Sequence, residues 1–261
     1  MADHSLDILL PALLTGILVL ATHVPLGRLV LDRGIVFIDL AIAQVAGLGV
    51  VIADFFGWEP SGWSVQIAAV IAALVGAGFL ICTERRLAAL QEAVIGVVFV
   101  VAASAEIVLL SYNPHGADEL KDLLVGQILW VVPSDLIPAA ILYAIVLGFI
   151  VFVDLARWRV LFYALFAVTV TASVQLVGVF LVFASLIIPS LAVRGIGGAR
   201  SMVYAYAVGL IGYGLGLLSS ALFDLPTGAA IVCALALVAA LTGLLRQWLG
   251  FAAVTESAIS H

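Results

Sequence analysis

Nine runs of apolar residues, each near the length of a bilayer crossing, fill almost the whole chain. They lie at about 8–27, 35–54, 63–82, 93–112, 136–154, 160–175, 177–193, 202–222 and 228–246. A helix rises about 1.5 Å per residue, so about 20 apolar residues cover the hydrocarbon core of a membrane. In lipid the backbone polar groups must be satisfied internally, which leaves helices or closed barrels. Runs of this length and spacing predict an all-α, polytopic transmembrane helical bundle, a single transmembrane domain over residues 1–261.

Composition excludes the other broad classes. The chain is 65% hydrophobic and 10% charged, where a soluble domain carries roughly 45–50% and about 25%. There is too little polar surface to cover a core in water. The net charge of −6, from 10 Lys+Arg against 16 Asp+Glu, offers no basic stripe, so nucleic acid is not an expected partner and membrane lipid is. The opening residues MADHSLD are acidic, which reads as the start of a retained first span. Cys82 and Cys233 both lie in apolar runs and are expected to serve as small packing residues, not as a disulfide.

Charge placement orients the spans. The basic residues are Arg28, Arg33, Arg85, Arg86, Lys121, Arg157, Arg159, Arg194, Arg200 and Arg246. With the N-terminus outside and the stretch 160–193 crossing twice, all but Lys121 fall in cytoplasmic loops, as the positive-inside rule requires. That stretch is long for one span and short for two, so it is the weakest part of the nine-crossing topology, with a broken or re-entrant pair expected there. The outer loops are then acidic. The one long connection, SYNPHGADELKDLLVGQILWVVPSD, is expected to turn at Asn113-Pro114. It should then form an amphipathic helix on the outer surface that Pro133 ends.

No nucleotide-binding loop, nucleophile elbow, HExxH or CxxC pattern occurs, and the four histidines (His4, His23, His115, His261) are scattered. The chain is therefore expected not to be an enzyme, and uphill movement would draw on a partner or an ion gradient. Polar groups within spans are costly and by default mark a transport path. Asp39, Gln44 and Glu106 are the candidates. Gln175, at the break, either satisfies freed backbone or touches a substrate; His23, before Val24-Pro25, is expected to pack locally at a proline-modified helix. The run GLIGYGLGLLSS holds Gly212 and Gly216, spaced to let helix backbones approach, and Pro189 is expected to bend its helix. The cytoplasmic segment PSLAVRGIGGARSMVYA has the charge, small residues and apolar rim of a short turn-helix-turn that could dock on another protein.

Five segments in order resemble the permease subunits of the ABC importers for zinc, manganese or iron. They are VLDRGIVFIDLAIAQVAGLG (30–49), EAVIGVVFVVAASAEIVLL (92–110), ELKDLLVGQILWVVPSDL (119–136), LVGVFLVFASLIIPSLAVR (176–194) and SALFDLPTGAAIVCALA (220–236). The resemblance implies a type II importer permease that works as a homodimer with cytosolic ABC ATPase subunits and an extracytoplasmic metal-binding protein. No cofactor belongs to the subunit itself: a divalent metal is the cargo, and the partner binds ATP. Asp39, Gln44 and Glu106 would meet the metal, and Asp118, Glu119 and Asp122 would form the outer mouth. Ser190, Arg194, Gly195, Gly197 and Arg200 would couple to the ATPase. The sequence departs from the family pattern D-x-x-S-H-A by carrying Gln44 in place of the histidine, with the Asp one residue further away. It also has a short DLARWRV connection before the Gly178 segment. A permease for a metal chelate, or a gradient-driven transporter using Asp39 or Glu106 as a proton-coupling carboxylate, are the alternatives the residues leave open.

Overall fold

The structure, a computed structural model, describes residues 2–58, 63–113, 116–126, 128–155 and 157–259. Of these, the side chains of 2–8, 116–119, 122, 133, 247 and 249–259 are outside the description. Ten α-helices follow in order: α1 (Ala2–Arg33), α2 (Ile38–Phe55), α3 (Trp63–Arg86), α4 (Gln91–Leu110), α5 (Gly116–Val125), α6 (Pro133–Phe152), α7 (Arg159–Val177), α8 (Val179–Ala192), α9 (Gly198–Phe223) and α10 (Thr227–Ile259). No strand occurs among the described residues.

Eight of these helices, all but α5 and α8, are long and apolar enough to cross a membrane among the described residues. The stretch 160–193 resolves into the 19-residue α7 and the 14-residue α8 with Gly178 alone between them. Arg159, which opens α7, pairs with Glu84 near the end of α3 at 3.6 Å. The far end of α7 lies on Gly126, in the connection that also holds Lys121. At the end of α8, Arg246 of α10 donates to the Ala192 and Arg194 carbonyls at 3.0 and 3.4 Å. The chain thus reverses at Gly178 and returns to the arginine-bearing end. With 14 residues, α8 spans only about 21 Å, against about 30 Å of hydrocarbon.

The reversal rests on backbone that only glycine adopts readily. Gly178 has φ 81° and ψ 162°, and a Cβ there would strike the backbone of Gly126, itself at φ 73°. A Cβ on Gly228, at the start of α10, would in turn strike the Val125 carbonyl. Three chain segments therefore cross at near-backbone contact at the end of the bundle opposite the arginine-bearing connector. This corrects the expected outer helix. It begins at Gly116 and stops at Val125, because the left-handed Gly126 ends it, and a short 3₁₀ turn (Ile128–Trp130) leads on to Pro133, which opens α6.

Buried α1 packs on α8, α9 and α6, while α2 packs on α3 and α4. Pro25 removes the N–H that would bond the Ala21 carbonyl, and the Tyr206 hydroxyl of α9 donates to that carbonyl at 2.9 Å instead. His23 is a local core residue, as expected: its Nδ1 meets the Val19 carbonyl at 2.9 Å, one turn back. Gly212 and Gly216 face Leu235 and Ile231 of α10, so the small-residue face packs within the subunit. α6–α7 and α8–α9 are pinned by the buried pairs Tyr143–Ser173 (2.6 Å) and Ser185–Tyr213 (2.7 Å). Contrary to expectation, Cys82 and Cys233 are exposed on the outside of the bundle, alongside large apolar side chains such as Phe79, Val97, Ile141, Phe152 and Leu245.

Candidate functional site

The α2 stripe Leu40, Gln44 and Gly47 follows the i, i+4, i+7 spacing that puts residues on one helix face. Leu40 and Gln44 form part of the wall of a cavity of about 300 Å³. Phe99 of α4, Leu124 of α5, Val232 of α10 and five residues of α8 (Val179, Phe180, Phe183, Ala184, Ile188) complete the lining. Gln44 is the one polar side chain among them. Toward the start of α2, the Phe37 ring stacks on Phe183, with centroids 6.0 Å apart and planes 5° from parallel.

Glu106 lies beyond this cavity on the same stripe. It stands seven residues past Phe99 on α4, two turns along one face, and its Oε1 sits 2.5 Å from the place a Gly47 Cβ would occupy. The carboxylate is 1% exposed and Oε1 has no hydrogen-bond partner. It therefore points into the α2–α4 interface and not toward headgroups. Gly47 admits it: any side chain there would occupy its space.

Asp39 occupies the opposite end of α2, in its first turn, 1% exposed, and neither carboxylate oxygen makes a hydrogen bond of good geometry. Glu92, from the first turn of α4, accepts the Phe37 N–H at 3.3 Å. It caps α2 from outside, since the opening N–H groups of a helix lack intrahelical partners. Sequence reasoning passed over Glu92, because a cap supplied by another helix leaves no local signature.

Asp39 and Gln44, five residues apart, are turned about 140° from each other on α2, as the spacing predicts, and the three expected metal residues share no cage. Asp39 and Gly47 are eight residues apart on α2, about 12 Å of rise, so Asp39 and Glu106 do not meet one ion. No three His, Cys, Asp or Glu side chains converge among the described residues. The side chains of Asp118, Glu119 and Asp122 lie outside the described residues, although α5 carries all three. Gln175 is exposed in the last turn of α7, away from the cavity.

The segment PSLAVRGIGGARSMVYA, expected to be cytoplasmic, contains no helix of its own. α8 ends at Ala192, residues 193–197 form a connector, and α9 starts at Gly198. Gly195 at φ 87° and Gly198 at φ 69° tighten the bend, and this replaces the expected turn-helix-turn. Arg194, Gly195, Gly197 and Arg200 are exposed there. Ser190 is not: it is 3% exposed and donates to the Val24 carbonyl at 3.1 Å, tying α8 to α1 where Gly27 leaves room. Arg246, a further residue the sequence did not single out, caps the last carbonyls of α8 and holds the connector.

The eight apolar helices long enough to cross a membrane, with acids buried within them and an exposed arginine-bearing connector at one end, define a multi-pass membrane protein of the transport class. The family model of the ABC 3 transport family matches residues 5–159 and 152–246, and the chain belongs to that family. It is 25% identical over 250 residues to the high-affinity zinc uptake system membrane protein ZnuB of Haemophilus influenzae, covering 87% of this chain and 93% of that protein. It is also 25% identical over 262 residues to the probable metal transport system membrane protein of Chlamydia trachomatis, covering 90% of this chain and 87% of that one. Among solved structures, PsaBC from Streptococcus pneumoniae in complex with Fab superposes with a TM-score of 0.74 at 21% identity. That match covers 93% of this chain and 95% of that one, and it shows the same fold.

Proposed function

We propose that the chain is the membrane permease subunit of an ABC importer for divalent metal ions, the cargo class named for its zinc-uptake relative. The observation that carries the reading is the double role of α8. Five of its residues line the cavity, and the same helix runs into the exposed connector 193–197. A partner that moves this connector moves the cavity wall.

In this reading two copies enclose the path, and a cytosolic ABC ATPase docks on Arg194, Gly195, Gly197 and Arg200. An extracytoplasmic metal-binding protein delivers the ion over α5, whose Asp118, Glu119 and Asp122 would concentrate cations at the mouth. The ion then meets Glu106, Gln44 and Asp39 in turn. Conduction requires sites weak enough to release what they bind, and single donors separated along the bundle meet that condition. The subunit supplies the path; the ATPase supplies the energy.

The test is reconstitution in vesicles with the candidate ATPase and binding protein. ATP-dependent accumulation of manganese or zinc is expected, and the double substitution Arg194→Glu, Arg200→Glu is expected to abolish both ATPase assembly and uptake. Accumulation against a gradient by this subunit alone, without ATP, would refute the reading in favour of a secondary transporter.

A further inference from the structure

We infer that the arginine-bearing ends of α3 and α7 form a binding surface for the headgroup of an anionic phospholipid. Two contacts assemble it. Arg33, at the end of α1, donates to the Leu155 carbonyl at 2.7 Å and rests 4.1 Å above the Phe162 ring. Arg159 pairs with Glu84 at 3.6 Å. Together they hold the connection between α6 and α7 against the end of α3, so Arg85 and Arg86, which close α3, share one corner with Arg157 and Arg159.

All four of these arginines are exposed. Arg157 pairs with Asp154 at 3.1 Å, whereas Arg85 and Arg86 make no ion pair among the described residues. Four guanidinium groups thus stand against two carboxylates. Asp32 offsets its neighbour Arg33, and Glu92 is turned to the Phe37 N–H of α2. The corner is net positive in a chain whose total charge is −6. A guanidinium carries five N–H donors in a planar fork that takes phosphate oxygens in pairs, so even Arg157 and Arg159 keep donors to offer.

The rim selects the partner. Trp158, 65% exposed, lies between Arg157 and Arg159 in the chain, and Leu87, Phe152 and Val160 beside them are exposed as well. A tryptophan at the edge of a span sits at headgroup depth, and basic residues next to it there attract anionic lipid. A phospholipid covers these apolar side chains with its acyl chains and meets the arginines with its phosphate, which a water-borne partner cannot do at once. α3 packs on α2 and α7, helices that take no part in the 193–197 connector, so this surface is separate from the proposed ATPase contact.

The experiment places the full chain in vesicles that contain brominated phosphatidylglycerol or brominated phosphatidylcholine, with Trp158 as the quenched fluorophore. Of the five tryptophans, the other four are removed by Trp58→Phe, Trp63→Phe, Trp130→Phe and Trp248→Phe. Phosphatidylglycerol is expected to occupy the site at least about fivefold more tightly than phosphatidylcholine, with the preference falling as salt rises. Arg85→Gln, Arg86→Gln and Arg157→Gln together, which spare the Arg159–Glu84 pair, are expected to abolish it. A companion protein that keeps Trp63, at the other end of α3, in place of Trp158 is expected to show no preference. Equal quenching by both lipids at Trp158, a preference that survives loss of the three arginines, or the same preference at Trp63 overturns the assignment. Native mass spectrometry needs no tryptophan change: the wild-type chain is expected to retain a phosphatidylglycerol that the triple arginine variant sheds, and equal retention overturns the assignment likewise. Neither measurement involves transport, so the importer reading stands or falls separately.

Discussion

The contact between Gly47 and Glu106 gives the sharpest handle on the path. An ordinary contact for a Cβ begins at 3.4 Å, and a Cβ at Gly47 would stand 2.5 Å from Glu106 Oε1, so Gly47→Ala must displace the carboxylate or the helix by about 0.9 Å. Overpacking of this kind costs about 1–3 kcal/mol. At about 2–4 °C per kcal/mol for a chain of this size, the purified protein should melt about 2–12 °C lower. Glu106→Ala removes the obstructing group and a buried, unpartnered acid with it, so by itself it should cost little or stabilise. In that background Gly47→Ala fills vacated space, and its penalty should vanish. The double-mutant cycle is therefore expected to return a coupling of about 1–3 kcal/mol, read from thermal midpoints of all four proteins in one detergent. Uptake should fall in Gly47→Ala, because the acid no longer stands in line with Gln44. Equal melting losses from Gly47→Ala in both backgrounds would show that the acid does not pack against α2, and the described path would lose its outer step.

The other structural joints make independent claims. Gly178→Ala puts a side chain into a backbone conformation reserved for glycine, about 1–3 kcal/mol of strain, and into the Gly126 backbone besides. Folded yield should collapse, whereas Gly148→Ala, where a Cβ meets nothing within 4 Å, should leave yield and melting near wild type. Tyr206→Phe should cost about 1–3 kcal/mol by orphaning the Ala21 carbonyl; combined with Pro25→Ala, which restores a backbone donor, the cost should shrink, as paired thermal melts would show. Arg246→Gln should free the 193–197 connector while sparing the cavity. ATP hydrolysis by the assembled complex should then lose its dependence on loaded binding protein; a variant that keeps full coupling would show that the tether is dispensable.

Much of the architecture was legible because the bilayer imposes it. Length and polarity of each run fix a helix, and the arginines fix its direction, so the nine apolar segments and the side bearing Arg28, Arg85, Arg157 and Arg194 followed from the sequence. The limits were tertiary. Gly126 stops α5 because Gly178 and Val177 occupy the space beyond it, and no local signal within DELKDLLVGQILWVV distinguishes that glycine from one in a continuous helix. The connector 193–197 looked large enough to hold a helix, but Gly195 and Gly198 bend it and the arginine of a helix some fifty residues on closes it.

The candidate site divides in the same way. Asp39, Gln44 and Glu106 were visible as polar groups where polarity is expensive. Their relation was not, because it depends on which faces α2 and α4 turn toward each other. Glu106 could have faced headgroups by its position near a helix end. What turns it inward is the absence of a side chain at Gly47, a residue 59 positions away that carries no functional group at all. Glu92 is the converse case, a charged residue whose role is to complete another helix. Both residues act through positions that are silent when read alone, so in a bundle of this kind the glycines opposite buried acids mark the path as surely as the acids do.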